Sequence, residues 1–308
     1  MIPAEETFDG TWPFAASFYQ GKGFRQHYVD EGPHDSGETF VLLHGEPTWG
    51  YIYRNFIPSL SQRGRVVVPD HMGFGKSETP QDRGYSTQEH CENLEALLLE
   101  LDLHDVTLVM QDWGGPIGCQ FALRHPDRVK RIVMMDTFVT PGPAAPEALK
   151  EELKGWSNWF ELVADDDFDQ VIGNLRFTAL SVMKRIGFER TEVADDTWVR
   201  AYSAPFPTPA DCKGARQFPL NILSPETYDY CNGGLALPGA REALRSKPAA
   251  MFTGADDTTI TPAVVEMSFR AFWPDAPLVT IPGAGHYVQE DAPETLVALI
   301  EEFVAANP

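Results

Sequence analysis

Short, continuously apolar runs recur along the chain, and segments with helical periodicity lie between them. The runs are "TFVLLH" at 39–44, "RVVVPD" at 65–70, "VTLVMQ" at 106–111 and "RIVMMD" at 131–136. None of them alternates apolar with polar residues, which is typical of parallel strands that are covered by helices on both faces. The pattern therefore predicts a doubly wound α/β sheet.

Two of the intervening segments carry clear helix signals. The segment that starts at 87 places Leu94, Leu97, Leu98 and Leu101 at helical spacing. The segment "PIGCQFALRHPDRV" follows the third apolar run and contains the His-Pro pair expected at a helix end. Both segments are predicted to be helices that pack on the sheet.

The character of the sequence changes after Asp136. Residues 141 to about 240 hold many prolines and aromatics and helical stretches such as "PEALKEELKGWSNWFELV", but no run typical of a parallel strand. The strand-then-loop pattern resumes with "KPAAMFTGADD" and "APLVTIPGAGH". We therefore predict an α/β core of residues 1–140 and 241–308, interrupted by a mostly helical cap of residues 141–240.

Composition and charge narrow the function. With 308 residues and 43% hydrophobic content, the chain can bury a large core as one domain with an insertion. The formal charge of −21 opposes binding to nucleic acid or to anionic membranes. The chain contains no apolar stretch of the roughly 20 residues that span a bilayer, and its start lacks the features of a secretory signal. We expect a globular protein that stays in the cytoplasm.

The cysteines do not indicate a metal site or a disulfide framework. The four cysteines show neither a C-x-x-C motif nor histidines at metal-ligand spacing, and they are Cys91, Cys119, Cys212 and Cys231. We expect reduced thiols that fill space in the core, and we expect neither a metal nor another cofactor.

Polar residues follow several of the predicted strands, at the sheet edge where open α/β proteins bind their ligands. Asp112 ends the run at 106–111, and the His44-Gly45-Glu46 turn follows the run at 39–43. Asp257 and His286 follow the two later strands. The order Asp112, Asp257, His286 is the nucleophile, acid and histidine order of α/β-hydrolases.

Asp112 lies where these enzymes have their nucleophile, on a tight turn between strand and helix. Gly114 and Gly115 supply the small residues that such a turn needs, while Met110 departs from the glycine of the esterase motif. A carboxylate at this position can attack carbon directly and form an ester. The N-terminus of the helix that starts at Gly114 favours its ionised form.

His286 is the candidate base, and a carboxylate must orient it. Asp257 is the preferred partner, with Asp136 and the adjacent Asp256 as alternatives. With serine at the turn, histidine would have to activate the nucleophile. With Asp112 there, the nucleophile is already charged and His286 is free to activate water in a second step. The substrate is therefore expected to be an electrophilic carbon that carries a leaving group.

The sequence resembles the haloalkane dehalogenases, over nearly the whole chain and in the same order. The matching segments are "HYVDEGP" at 27, "LLHGEPTWGYIYRNFIPSL" at 42, "PDHMGFGKSETP" at 69, "VMQDWGGPIG" at 109, "YSAPFP" at 202, "GARQFP" at 214 and "GAGHYVQE" at 283. The resemblance implies an α/β-hydrolase fold. It also implies that Asp112 displaces halide in an SN2 attack, that His286 with Asp257 activates the water that hydrolyses the ester, and that the backbone N–H groups of Glu46 and Trp113 form the oxyanion hole.

The resemblance also implies two donors for the departing halide. Trp113, directly after Asp112, would donate its indole N–H. Many relatives have asparagine where Glu46 stands, and an ionised carboxylate would repel the halide. The second donor is therefore expected to be a cap tryptophan, with Trp156 preferred over Trp159 and then Trp198. Glu46 is expected to contact the hydrolytic water.

Other activities of the same fold require residues that can be compared with this sequence. Epoxide hydrolases share the Asp-Trp pair but need two cap tyrosines, for which the candidates are Tyr202, Tyr228 and Tyr230. Fluoroacetate dehalogenases place arginine where Trp113 stands, and a protein of this fold that only binds a ligand would have lost one of the three catalytic residues. The expected partners are a small halogenated hydrocarbon, water and halide. We expect no nucleic acid and no membrane partner, and a monomer or weak homo-oligomer.

Overall fold

Eight strands form one sheet in the part of the chain that the computed structural model describes, residues 2–141 and 167–308. The strands are β1 (Ser17–Gly21), β2 (Phe24–Glu31), β3 (Thr39–Leu43), β4 (Arg65–Pro69), β5 (Val106–Gln111), β6 (Val129–Met135), β7 (Ala249–Gly254) and β8 (Leu278–Ile281). Their order in the sheet is β1-β2-β4-β3-β5-β6-β7-β8. The strands from β4 to β8 in this order pair in parallel, and only the pairs β1·β2 and β2·β4 are antiparallel. The predicted α/β sheet is confirmed.

The antiparallel hairpin of β1 and β2 was not predicted, because its sequence is too polar. The central strand β5 is buried at every position, whereas β2 buries Gln26 and His27 among its apolar residues. His27 is tolerated there because its Nδ1 lies 2.7 Å from Oδ2 of the buried Asp70. A buried polar side chain that is paired across the sheet leaves no apolar pattern in the sequence.

Helices cover the sheet and fill the segment between β6 and β7. They are α1 (Ile57–Leu60), α2 (Thr87–Glu100), α3 (Gly114–Arg124), α4 (Phe168–Ile172), α5 (Leu175–Ile186), α6 (Asp196–Ser203), α7 (Lys213–Asn221), α8 (Pro225–Leu235), α9 (Ala240–Arg245), α10 (Pro262–Arg270), α11 (Val288–Asp291) and α12 (Pro293–Ala306). Short 3₁₀ turns occur at Gly50–Tyr53, Thr191–Val193 and Pro209–Cys212. Both predicted helices are confirmed as α2 and α3, and α3 ends before the His-Pro pair.

The described part of the cap, from residue 167 to α9, contains helices and no strand. The predicted helical insert is confirmed to that extent, while its boundaries at 141 and 240 stay predictions. Within the described residues, no helix has the length and apolar character needed to cross a bilayer. All four cysteines are buried and free, as predicted.

A buried charge cluster joins the cap to the core. Glu290 in α11 forms an ion pair with Arg54, whose Nη2 lies 2.8 Å from Oε2 of the glutamate. Two side chains of the cap helix α6 donate to the same carboxylate: Trp198 through Nε1, at 3.0 Å, and Tyr202 through its hydroxyl. We call Arg54, Trp198, Tyr202 and Glu290 the Glu290 cluster. Each oxygen of Glu290 accepts more than one hydrogen bond, which offsets the cost of burying its charge.

Removing the carboxylate of the Glu290 cluster is expected to lower the stability of the protein strongly. Glu290→Ala leaves the guanidinium of Arg54 buried without its partner, so we expect the free energy of unfolding to fall by about 3 to 5 kcal/mol in urea denaturation. Glu294→Ala is the control, because the Glu294 side chain is 83% exposed and lies 3.8 Å from Arg190. Equal losses in the two variants would show that the cluster does not hold the cap on the core.

Candidate active site

The turn between β5 and α3 holds Asp112 in a left-handed conformation, with a φ of +47°. This conformation is unfavourable for a residue with a side chain and persists only where the surroundings enforce it. Here α3 packs very close to the sheet. A Cβ atom on Gly114 would lie 2.3 Å from the carbonyl oxygen of Leu43, and one on Gly115 would lie 2.0 Å from Oγ1 of Thr137. The predicted need for small residues after Asp112 is confirmed.

The departure at Met110 also has a structural explanation. Met110 is fully buried, and its Sδ atom would lie 2.4 Å from a Cβ atom on Gly118 of α3. The missing side chain of Gly118 therefore makes room for the larger side chain of Met110. The tight turn is retained although its first glycine is replaced.

The carboxylate of Asp112 is held by backbone N–H groups. Glu46 donates its N–H to Oδ2 at 2.7 Å, and the backbone N–H of Trp113 donates to the same carboxylate. Gly45 allows this close approach, because a Cβ atom there would lie 2.3 Å from Oδ2. Burial raises the pKa of Asp112 above its ordinary value, although His286 and the two N–H groups act in the opposite direction.

His286 lies in the loop between β8 and α11, with its ring between two carboxylates. Its Nδ1 is 2.9 Å from Oδ2 of Asp257, and its Nε2 is 3.9 Å from Oδ1 of Asp112. The other oxygen of Asp257 accepts the backbone N–H groups of Thr259 and Ile260 at 2.6 and 3.0 Å, which fixes the carboxylate. The structure thus brings together the three residues that the sequence selected.

The alternative carboxylates have other partners. Oδ1 of Asp136 accepts hydrogen bonds from the hydroxyl of Thr253 at 2.5 Å and from the backbone N–H of Gly254 at 3.1 Å. Burial and the charge of Asp257 raise the pKa of Asp136 well above its ordinary value. Asp256 is exposed. Asp257 is therefore the residue whose geometry suits it to orient His286.

Opposing effects set the pKa of His286. Burial lowers it, but the charges of Asp257, Asp112 and Asp136 together outweigh burial and raise it to about 9. Any event that neutralises Asp112 removes one of these charges, and the pKa of the ring must then fall. The basicity of His286 is therefore coupled to the state of Asp112.

Glu46 places an isolated carboxyl group beside Asp112. Its side chain is buried, and neither oxygen has a hydrogen-bond partner among the described residues. Burial and the charge of Asp112 raise its pKa well above the ordinary value, so both effects favour the neutral acid. Its backbone is fixed from the other side, because the hydroxyl of Tyr287 donates to its carbonyl oxygen at 2.9 Å.

Trp113 is buried and stacks on Phe218 of α7, with ring centroids 5.2 Å apart and planes inclined by 15°. Among the other tryptophans that were considered, Trp156 and Trp159 lie outside the described residues. Trp198 is not suited to bind halide, because its indole N–H already donates to Glu290.

The tyrosines expected of an epoxide hydrolase are engaged elsewhere. The hydroxyl of Tyr202 donates to Glu290, and that of Tyr228 donates to the carbonyl oxygen of Ile222 at 2.9 Å. The ring of Tyr230 lies 4.5 Å from the guanidinium of Arg124, at the end of α3 opposite Asp112. These contacts direct none of the three candidate tyrosines towards Asp112.

Comparison with known proteins identifies the family of the chain. A family model of the α/β hydrolase fold matches residues 38–293. A haloalkane dehalogenase of Psychrobacter cryohalolentis is 33% identical over 92% of this chain and 88% of its own length. Haloalkane dehalogenase 2 of Mycobacterium bovis is 32% identical over 95% of this chain and 96% of its own. The chain belongs to the haloalkane dehalogenase family.

Solved structures of other haloalkane dehalogenases have the same fold. DpaA of Paraglaciecola agarilytica NO2, whose structure is tetrameric, is 31% identical with a TM-score of 0.77, over 96% of this chain and 93% of its own. DatA of Agrobacterium tumefaciens C58 is 25% identical with a TM-score of 0.76, over 95% of this chain and 97% of its own. The resemblance inferred from the sequence motifs is confirmed.

Some residues around the site of this family member were missed in the sequence. Thr137 donates its hydroxyl to the carbonyl oxygen of Asp112 at 2.5 Å, and Gln111 contacts His286. Each of them, like Tyr287, directly follows or precedes a residue that the sequence did select. Their position next to a selected residue was the signal in the sequence that could have identified them. Among the described residues, no group of three or more His, Cys, Asp or Glu is arranged to hold a metal ion.

The charges around His286 predict a measurable shift. Asp112→Asn removes a negative charge that helps to raise the pKa of His286 to about 9. We therefore expect the ring pKa, measured by NMR titration, to fall by roughly one unit. Mass spectrometry checks that the side-chain amide of the Asp112→Asn variant has not hydrolysed back to aspartate. Asp256→Asn is the control, since Asp256 is exposed. An unchanged ring pKa in Asp112→Asn would contradict the coupling.

Proposed function

We propose that this chain hydrolyses carbon–halogen bonds in halogenated alkanes and releases an alcohol, a halide ion and a proton. The observation that carries the proposal is a carboxylate, Asp112, on the turn where related hydrolases have a hydroxyl. A histidine paired to a second carboxylate lies 3.9 Å from it. A carboxylate nucleophile needs no base for the first step, so His286 is available for the second.

In the first step, Asp112 would attack the carbon of the substrate. Its Oδ2 accepts the N–H of Glu46, which leaves Oδ1 as the oxygen for an in-line attack on carbon. The new C–O bond forms while the C–X bond breaks, and the halide leaves with the bonding electron pair. The product of this step is an alkyl ester of Asp112, which is neutral.

In the second step, Nε2 of His286 would take a proton from water, and the resulting hydroxide would attack Cγ of the ester. The negative charge would then develop on Oδ2, which already accepts the N–H of Glu46, and the N–H of Trp113 donates to the same carboxylate. This arrangement supports an oxyanion hole made by these two N–H groups. Collapse expels the alkoxide, which takes the proton from His286. The acid of Asp112 loses its proton to solvent, and the free enzyme is restored.

The halide would leave towards the indole N–H of Trp113, with a cap tryptophan as the second donor. Trp113 follows the nucleophile directly, and its indole stacks on Phe218 of the cap helix α7. We assign the second donor to Trp156, with Trp159 as the alternative. The neutral acid of Glu46 supplies an O–H group that can hold the hydrolytic water without repelling the anion.

The expected partners are a small halogenated hydrocarbon, water and the released halide. Iodide and bromide are expected to leave more readily than chloride, because their bonds to carbon are weaker. The prediction of a monomer or weak homo-oligomer is retained for this chain.

Halide release tests the function directly. We expect the wild type to release bromide from 1,2-dibromoethane and 1-bromobutane, and Asp112→Ala to release none. His286→Ala should form the ester but not hydrolyse it, so intact-mass spectra should show one butyl group on Asp112 after incubation with 1-bromobutane.

Two outcomes would contradict this mechanism. Diol formation from styrene oxide without bromide release from either bromoalkane would assign the chain to epoxide hydrolysis. Bromide release by the wild type with no adduct in His286→Ala would remove the covalent ester from the mechanism.

The halide donors can be tested separately. Trp113→Phe keeps an aromatic ring against Phe218 but removes the N–H donor, so we expect the Kd for bromide, measured by calorimetry, to rise by about 10- to 100-fold. Trp273→Phe is the matched control, because Trp273 is also buried but packs against Phe269 and Phe272. We also expect Trp156→Phe to weaken bromide binding more than Trp159→Phe does. Equal affinities in the last pair would show that Trp156 is the wrong choice.

A further inference from the structure

Gln111 is the last residue of β5 and directly precedes Asp112, and its side chain is fully buried. Its amide nitrogen lies 3.1 Å from the backbone oxygen of His286 and 3.1 Å from the ring Nε2 of the same residue. Its side-chain oxygen has no hydrogen-bond partner among the described residues. A buried amide oxygen without a hydrogen bond costs free energy, so the hydrogen bonds of the nitrogen must offset that cost.

The backbone oxygen of His286 decides the orientation of the amide. A carbonyl oxygen can only accept a hydrogen bond, so the NH₂ group of Gln111 must face it. The opposite orientation would place two oxygens 3.1 Å apart in a buried site. With the NH₂ group in place, its second N–H is directed at Nε2 of the ring. If Nε2 were protonated, its N–H would point at the N–H of the amide, and the two hydrogens would repel each other.

We propose that Gln111 is a positioning residue for the base: its amide holds Nε2 of His286 as a hydrogen-bond acceptor, the form that can take a proton from water. The other ring nitrogen then carries the proton and donates it to Asp257, at 2.9 Å. One tautomer of the neutral ring satisfies both neighbours. Gln111 thus selects the tautomer that the hydrolytic step uses.

The hydrogen bond from the Gln111 amide favours the neutral ring, whereas the charged groups that face the ring favour its protonated form. Asp112 follows β5, Asp136 follows β6 and Asp257 follows β7, and all three favour the protonated ring. In the loop that carries His286, the N–H of Gly285 donates to Asp291, whose pKa is raised to about 6 by burial. Gln111 is neutral, so it opposes the three aspartates by its hydrogen bond and not by charge.

This assignment rests on the proposed function for its catalytic consequence. When Asp112 becomes an ester, its charge disappears and the lone pair on Nε2 must be available at once. The N–H of Gln111 then gives up its hydrogen bond to Nε2, the hydrolytic water donates to Nε2 instead, and the amide keeps its bond to the backbone oxygen of His286. The first step uses no lone pair of His286, so a Gln111 variant should slow ester hydrolysis and leave ester formation unaffected.

NMR titration of the His286 ring tests the proposal without any substrate. Removal of the donor in Gln111→Met should raise the ring pKa by roughly 0.5 to 1 unit. Gln111→Glu should raise it at least as much, because its carboxylate accepts from the protonated ring. Gln289→Met is the matched control, since Gln289 is equally buried but its amide donates to Tyr53 instead of the ring. In the wild type, a ¹⁵N–¹⁵N coupling should connect Gln111 Nε2 with His286 Nε2.

Several results would overturn the proposal. These are an unchanged ring pKa in whichever Gln111 variant folds, an equal shift in Gln289→Met, or no coupling between the two nitrogens in the neutral wild-type ring. With 1-bromobutane, Gln111→Met should show a normal burst of bromide and then accumulate the ester at neutral pH. Its acid limit of activity should move to higher pH. A wild type that releases no bromide would refute the proposed function alone, because the titration and the coupling do not depend on turnover.

Discussion

The left-handed backbone at Asp112 is the constraint on which the site depends. It turns the chain sharply from β5 into α3, so the side chain of Asp112 leaves the sheet edge and the N–H of Trp113 donates to its carboxylate. The same turn brings α3 so close to the sheet that only glycine fits at 114 and 115. The hydroxyl of Thr137 then holds the strained peptide by its carbonyl oxygen. Strain at one residue is thus balanced by packing and by one long-range hydrogen bond.

The second determinant of the site is an excess of carboxyl groups around a single imidazole. Glu46, Asp112, Asp136 and Asp257 share a buried region with His286, and they cannot all be ionised there. The structure separates them by their contacts. Burial raises the pKa values of Glu46 and Asp136 well above the ordinary range. The carboxylate of Asp257 accepts hydrogen bonds from two backbone N–H groups and lies 2.9 Å from Nδ1 of His286. A charge that appears or disappears on Asp112 therefore changes the proton affinity of its neighbours.

Local patterns predicted the parts of this protein that local physics determines. The strands from β3 to β7 are mostly apolar and buried, as expected of strands that helices cover. Asp112 and His286 stand out because Asp112 follows β5 directly and His286 lies in the loop after β8. The hairpin of β1 and β2 escaped prediction because His27 is buried against Asp70, 43 residues away. Arg54 and Glu290 are 236 residues apart, and no periodicity encodes such a pair. The residues of the cap that would line a halide site could be selected by resemblance but not by pattern.

The position of Glu290 has a consequence for how the pocket can change. It lies four residues after His286, and its carboxylate is held by two side chains of α6 in the cap. The cap also contacts the residue that follows His286, since the carbonyl oxygen of Gly187 accepts the backbone N–H of Tyr287. One short segment therefore carries His286, the proposed base, and anchors the cap helix α6 through Glu290. If His286 acts as the proposed base, a substitution that shifts α6 would also disturb its alignment, so substrate range and turnover rate would be expected to change together.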